Sequence, residues 1–270
     1  MKELITRRMA LQSLTACACV TCLSAAGLAS ASEHGAEKAA AGHGGAPHWG
    51  YEGEGSPEHW GDLSPDFKTC SLGTEQSPID LTDAVKAQLG EPFKLEYRAV
   101  AGKIVNNGHS IQVNVEPGCS CTIKGKRFDL LQYHFHHPSE HLVDGRPHAM
   151  EGHYVHKAED GQIAVIGVFI KPGAKNAALA PVFASMPNAQ GAEQPFETLD
   201  PSAAFPASQA YYRYRGSLTT PPCSEGLIWT VFQEPIEASQ EQVQAFAKIF
   251  PNNARPVKPI NRRYLLKSSS

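Results

Sequence analysis

The chain is 270 residues long, enough for one large domain or two small ones at roughly 100 to 200 residues per domain. Hydrophobic residues make up 41% and charged residues 19%, with 23 glycines and 20 prolines, a composition that excludes wholesale disorder and points to a loop-rich globular protein. The formal charge of -3 leaves no net positive field to condense on nucleic acid or anionic lipid, so no nucleic-acid partner is expected.

Residues 1–31 read as an export signal absent from the mature protein. Arg7 and Arg8 precede an uncharged run to Leu28 that ends at the small-x-small site Ala29-Ser30-Ala31. The paired arginines fit the twin-arginine pattern, with the general export pathway as the alternative. Thr, Ser and Gln interrupt the run, so it is not read as a membrane anchor, and no span is expected in the mature chain. Cys17 ends a lipoprotein-like box, but the apolar run before it is too short for that reading to be preferred. Without the signal, 21 basic and 26 acidic groups remain, a charge of -5, and the location is periplasmic or secreted. Residues 32–47, rich in Ala and Gly and dotted with His, form a flexible tether to which no site is assigned. Residues 48–270 read as one domain without internal repeats.

Period-two alternation predicts strands at Phe93, Leu95 and Tyr97, at Ile111, Val113 and Val115, and at Phe128, Leu130, Gln132, His134 and His136. Ile163 to Ile170 is apolar on both faces, as a central covered strand would be, and Leu227 to Phe232 reads similarly. One helix stands out, with Ser239 and Gln242 as a capping box and Val243, Phe246, Ala247 and Phe250 on one stripe before Pro251. The fold class is mainly β with short peripheral helices (α+β), built on a large sheet.

Four cysteines follow the signal: Cys70, Cys119, Cys121 and Cys223. An oxidising compartment makes disulfides the default. Cys119 and Cys121, two apart, rarely form a relaxed bridge, which makes Cys70 with Cys223 the better pair and leaves the state of Cys119 and Cys121 open.

The strongest chemical signal is QYHFHHPSEH at 132–141 followed by EGHYVH at 151–156. His134 and His136, two apart on a strand, send both rings to one face, and an antiparallel return through the turn at Gly145-Arg146-Pro147 brings His153 beside them. Three imidazoles with one open position describe a catalytic zinc site, whereas a structural zinc is normally closed by four ligands. Metal-bound imidazoles need partners on their other nitrogens, and Gln132 and Glu151, on the same faces, are candidates. An isolated strand histidine is usually only a packing residue, and His137, His141, His148 and His156 are read in that way, as surface or packing residues.

In this order the segments HWGY (48–51), QSPID (76–80), NNGH (106–109), QYHFH, SEH, EGHYVH, YRYRGSLTTPPCSEG (212–226) and NARP (253–256) make the sequence resemble an alpha-class carbonic anhydrase of the bacterial exported kind, from about Trp49 to Leu266. The resemblance implies a mostly antiparallel twisted sheet of about ten strands with Zn2+ at the base of a cleft. It implies reversible hydration of carbon dioxide to bicarbonate and a proton by zinc-bound hydroxide. Carried over by matched motif, His134, His136 and His153 are the zinc ligands, Thr219 is the gatekeeping threonine and Glu140 its hydrogen-bond partner. Val155, Val165, Leu218, Leu227 and Trp229, with Thr220, match the substrate pocket. His109 matches the proton shuttle, its reference pKa of about 6.5 suiting transfer near neutrality. Tyr51 and Asn107 match residues that order the intervening waters. His137-Pro138 after the second ligand departs from animal members, which commonly carry Trp there. A zinc hydrolase acting on esters and a non-catalytic carbonic-anhydrase-like binding module are the rival readings; no ligand is missing, as the second would require, and no separate signal for an extended ester groove is present. The oligomeric state, a homodimer included, is left open.

Overall fold

The computed structural model describes residues 48–89 and 93–268; the expected signal and the whole of the expected tether lie outside them. The described residues form a single compact unit.

Seven strands carry the architecture: β1 (Val100–Asn106), β2 (Ile111–Val115), β3 (Lys126–His136), β4 (Met150–Lys157), β5 (Ile163–Pro172), β6 (Tyr211–Ser217) and β7 (Glu225–Phe232). They lie in the order β6-β7-β5-β4-β3-β2-β1 at the centre of a 13-stranded mixed sheet. Neighbours on this path pair antiparallel except β5 with β7, which run parallel. Short strands extend both edges, Leu266–Ser268 beside β6 and Glu193–Leu199 beside β1. The mostly antiparallel expectation therefore stands, and the helices are few and short.

β5 is buried on both faces from Ala164 to Ile170, as its uninterrupted apolar run requires. The larger apolar cluster covers one face and holds Tyr133, Phe135, Tyr154 and Ile166; the smaller, with Val155, Val165, Leu227 and Trp229, lies on the other. Helix Gln240–Ala247 begins at the expected capping box and buries Val243 and Phe246. A Ser or Thr cap of this kind contributes about 1 kcal/mol.

One strand departs from simple alternation. The register of β3 against β4 slips between Leu130 and Gln132, leaving Leu131 as a bulged, exposed residue. Phe128 and Leu130 therefore share the large core with Tyr133 and Phe135, while Gln132, His134 and His136 face the opposite side. An unbroken alternation would have put Phe128 and Leu130 on the histidine face.

Candidate metal centre

Strand register assembles the site. His134 on β3 lies directly opposite His153 on β4, and His136 opposite Glu151. The rings of His134, His136 and His153 stand 4.6 to 5.4 Å apart by centroid, and one nitrogen from each lies within 4.8 Å of the others. His136 and His153 are 1% exposed. Buried so far from water, unpartnered imidazole nitrogens would be costly unless a ligand satisfied them.

The other ring nitrogens decide the orientation. His134 Nδ1–H donates to Gln132 Oε1 at 2.9 Å, and His136 Nδ1–H donates to the Asn253 carbonyl at 2.7 Å. Nε2 of His136 is buried without a partner. His153 Nε2 lies 3.0 Å from Glu151 Oε1, off the line of a hydrogen bond. Gln132 and Glu151 thus stand where the sequence placed them. Asn253 was missed: its main-chain carbonyl comes from NARP, far along the chain, and a carbonyl leaves no trace in residue type.

Burial pushes the His134 and His136 pKa values below the usual imidazole range, and the neighbouring histidines add to this, so both rings are neutral and able to coordinate. For His153 burial acts the same way and is the largest single influence, but Glu151 and the charge of Glu140 together outweigh it and raise the pKa. Burial pushes the Glu151 carboxyl up, yet His141 and His153 together hold it well below the usual range. Gly167, opposite His153 on β5, leaves room for that carboxylate: a Cβ there would meet Glu151 Oε1 at 3.0 Å and Val231 at 3.2 Å.

His141 is fully buried and belongs to a polar network, not to the surface. Its Nδ1 bonds Glu151 Oε1 at 2.7 Å, and its Nε2 bonds the Tyr214 hydroxyl at 2.6 Å. Glu151 Oε2 accepts the main-chain N–H groups of Glu140 and His141. His141, Glu151 and His153 also cluster at ligand distance, but these bonds already occupy His141 and Glu151. His156, likewise fully buried, bonds Tyr97 on the far face.

Glu140 Oε1 accepts the Arg255 main-chain N–H at 2.8 Å, while Oε2 has no hydrogen bond and lies 3.4 Å from His136 Nε2. The expected bond from Thr219 to Glu140 is therefore not made: the carboxylate is held by Arg255 and turned toward the imidazoles. Thr219 is buried on the turn behind Cys223, whose N–H donates to the Thr220 carbonyl. The bridge from Cys70 to Cys223 is formed, with Cα atoms 5.0 Å apart. Arg255 ties the two together, donating to the Cys70 and Ser77 carbonyls. Cys119 and Cys121 are buried free thiols, and burial pushes Cys121 up to about 12.

Val155, Val165, Leu227 and Trp229 are 9% exposed or less and pack as one cluster, with Leu218 half-buried against it and Thr220 half-buried on the turn. The Trp229 ring lies 4.8 Å from that of His153, so the apolar cluster reaches the histidines. His109 is half-buried and stacks on Trp49, ring centroids 3.6 Å apart. Asn107 builds its turn: Oδ1 accepts the N–H groups of His109 and Ser110, and Nδ2 donates to Gln112. Tyr51 packs edge-on against Trp49 and Trp60, and burial, then the charge of Glu140, raises its pKa well above 10.

A large β-sheet presenting three converging imidazoles, two of them buried and one half-buried, defines a metalloenzyme scaffold, and comparison with known proteins gives its family. Residues 55–269 match the model for eukaryotic-type carbonic anhydrase. A carbonic anhydrase of Nostoc sp. is 44% identical over 226 residues, covering 82% of this chain and 86% of that protein. One from Pectobacterium carotovorum is 44% identical over 221 residues, covering 81% and 90%. The solved alpha-carbonic anhydrase from Thermovibrio ammonificans, in complex with the inhibitor sulfanilamide, superposes with a TM-score of 0.80 at 48% identity, covering 83% of this chain and all of that one. The chain belongs to the alpha-class carbonic anhydrases.

Proposed function

We propose that the protein hydrates carbon dioxide reversibly to bicarbonate and a proton, using one Zn2+ held by His134, His136 and His153. The observation that carries this is the imidazole trio whose outer nitrogens are turned to Gln132, the Asn253 carbonyl and Glu151 while His136 Nε2 is left buried and unpartnered. An all-nitrogen donor set of three suits a catalytic zinc with an open position. When bound, zinc in such sites, carbonic anhydrase being the standard instance, lowers the pKa of coordinated water to about 7.

The protein's own groups do the rest. Val155, Val165, Leu218, Leu227 and Trp229 offer an apolar wall suited to a gas without a dipole, and Thr220 stands at its edge. Thr219 orients the nucleophile by hydrogen bonding, with Glu140 as the acceptor for its hydroxyl hydrogen once the carboxylate turns from the imidazoles. His109 accepts the proton released and passes it to buffer, Trp49 supporting its ring, while Tyr51 and Asn107 order the path between. The domain spans residues 48–270 behind a removed signal and tether and works in the periplasm or outside the cell, where the Cys70–Cys223 bridge is at home. Among the described residues no helix is long and apolar enough to cross a membrane.

Replacing His136 with Ala is expected to abolish stoichiometric zinc binding and carbon dioxide hydration together. Full zinc and full activity in the variant would exclude the assignment. Ester hydrolysis measured on the zinc-loaded wild type separates the rival chemistry: a turnover of esters exceeding that of carbon dioxide would favour a hydrolase.

A further inference from the structure

Two main-chain groups reach the metal centre from a segment without regular structure, since residues 252–260 belong to no helix or strand. The Asn253 carbonyl accepts from His136 Nδ1–H at 2.7 Å, and two residues further on the Arg255 N–H donates to Glu140 Oε1 at 2.8 Å. No strand ladder fixes these groups, so side chains have to. Asn253 is anchored by its amide, which bonds His137, Phe135 and His109. Arg255 is anchored by its guanidinium.

That guanidinium is 1% exposed and lies 5.5 Å from the centre of the Trp60 ring. Its Nη1 donates to the Ser77 carbonyl at 2.8 Å and its Nη2 to the Cys70 carbonyl at 2.9 Å, while Nε is buried without a partner. Carbonyl acceptors offset only part of the cost of burying a charge, so stability alone does not account for an arginine here. Both acceptors are tied to the Thr219 turn. Ser77 N–H donates to Ser217 Oγ, and Ser77 Oγ accepts the Ser217 N–H, two residues before Thr219. Cys70 is bridged to Cys223, four residues after it. The guanidinium therefore sets the N–H that holds Glu140 against both ends of the turn that carries Thr219. With Oε1 pinned, Oε2 is the oxygen left without a hydrogen bond and able to turn toward Thr219.

We propose that Arg255 is a positioning residue for the hydration step: its side chain registers the Glu140 carboxylate against Thr219 and touches neither metal nor substrate. This rests on the reading of Glu140 as the partner of Thr219. Isotope exchange between carbon dioxide and bicarbonate at equilibrium, measured per bound zinc, isolates that step from the proton relay. Arg255→Met is expected to lower exchange at least about tenfold with zinc content unchanged. Arg255→Lys, which keeps the charge and reaches one carbonyl, should lower it less. In a Glu140→Ala background, which removes the carboxylate that the N–H holds, neither substitution should lower exchange further. A merely structural role would lower exchange by the same factor in both backgrounds or remove zinc in proportion, and either result overturns the assignment. Full exchange in both Arg255 variants overturns it too, and where Arg255→Met does not fold, Arg255→Lys in the two backgrounds decides. If Glu140→Ala by itself keeps full exchange, the pairing of Glu140 with Thr219 fails and the role of Arg255 falls with it, an outcome distinct from a needed Glu140 beside a dispensable Arg255.

Discussion

His109 joins local structure to chemistry at the level of a single side chain. Asn107 caps its turn from one side, and Asn253 Nδ2 donates to its main-chain carbonyl from the other, so the backbone is fixed while the ring rests on Trp49. Burial, then the charge of His48, lowers its pKa from 6.5, which would place the acid limb of the proposed relay below the reference imidazole value. Replacing His109 with Ala is expected to leave isotope exchange between carbon dioxide and bicarbonate at equilibrium nearly intact, since the metal-centre residues are untouched. Net turnover in dilute buffer should fall, and imidazole buffer should restore part of it. Loss of exchange and zinc together would instead mark His109 as structural. Asn253 is the complementary case: one residue whose carbonyl orients His136 and whose side chain bonds His137, Phe135 and His109. Its type alone says turn or cap, and only the fold brings it 117 positions back along the chain to its partner.

Among the elements, β3 and the Thr219 turn do most to build the site. The H-x-H pair was legible because a strand's period of two is local geometry. The bulge at Leu131 was not, because an apolar residue is compatible with either face and the slip shows only against β4. The turn at Thr219 to Cys223 is fastened by the bridge to Cys70, which closes a loop of 153 residues, and by Gln76 Nε2 donating to the Cys223 carbonyl. Converting both cysteines to Ser is expected to lower stability by up to about 4 kcal/mol on the chain-entropy account, read from urea unfolding. Activity should fall more than zinc content, since the bridge braces Thr219 and not the histidines. Equal stability with and without the bridge would show that the packing around Trp60 holds the turn unaided.

At the scale of the whole molecule, a histidine buried in the core couples stability to pH. On the far face His156 is fully buried against Tyr97, and burial drives its pKa down to about 4. Because the folded value lies below the unfolded one of about 6.5, the unfolded chain binds the proton more readily. Its contribution is complete above pH 6.5, is lost as the pH falls from there toward 4, and changes no further below. By pH 5 the loss from this group is about 2 kcal/mol. Urea unfolding at pH 7 and pH 5 should show that drop in the wild type and a smaller one in His156→Gln. An identical drop in both would assign acid sensitivity to other groups. Sequence leaves His156 as surface or packing; its burial makes it a packing residue.

The clustering of the three histidines, the capping box, the doubly buried central strand, the disulfide pair and the family resemblance were all readable from residue types and spacings, because each rests on local periodicity or on an ordered set of motifs. The tertiary structure alone decided which face each half of β3 presents, that the Asn253 carbonyl completes the support of His136, and that Glu140 is held by the Arg255 N–H instead of Thr219. All three depend on main-chain atoms or on contacts between segments far apart in the chain, and neither is encoded by the identity of a residue or its nearest neighbours.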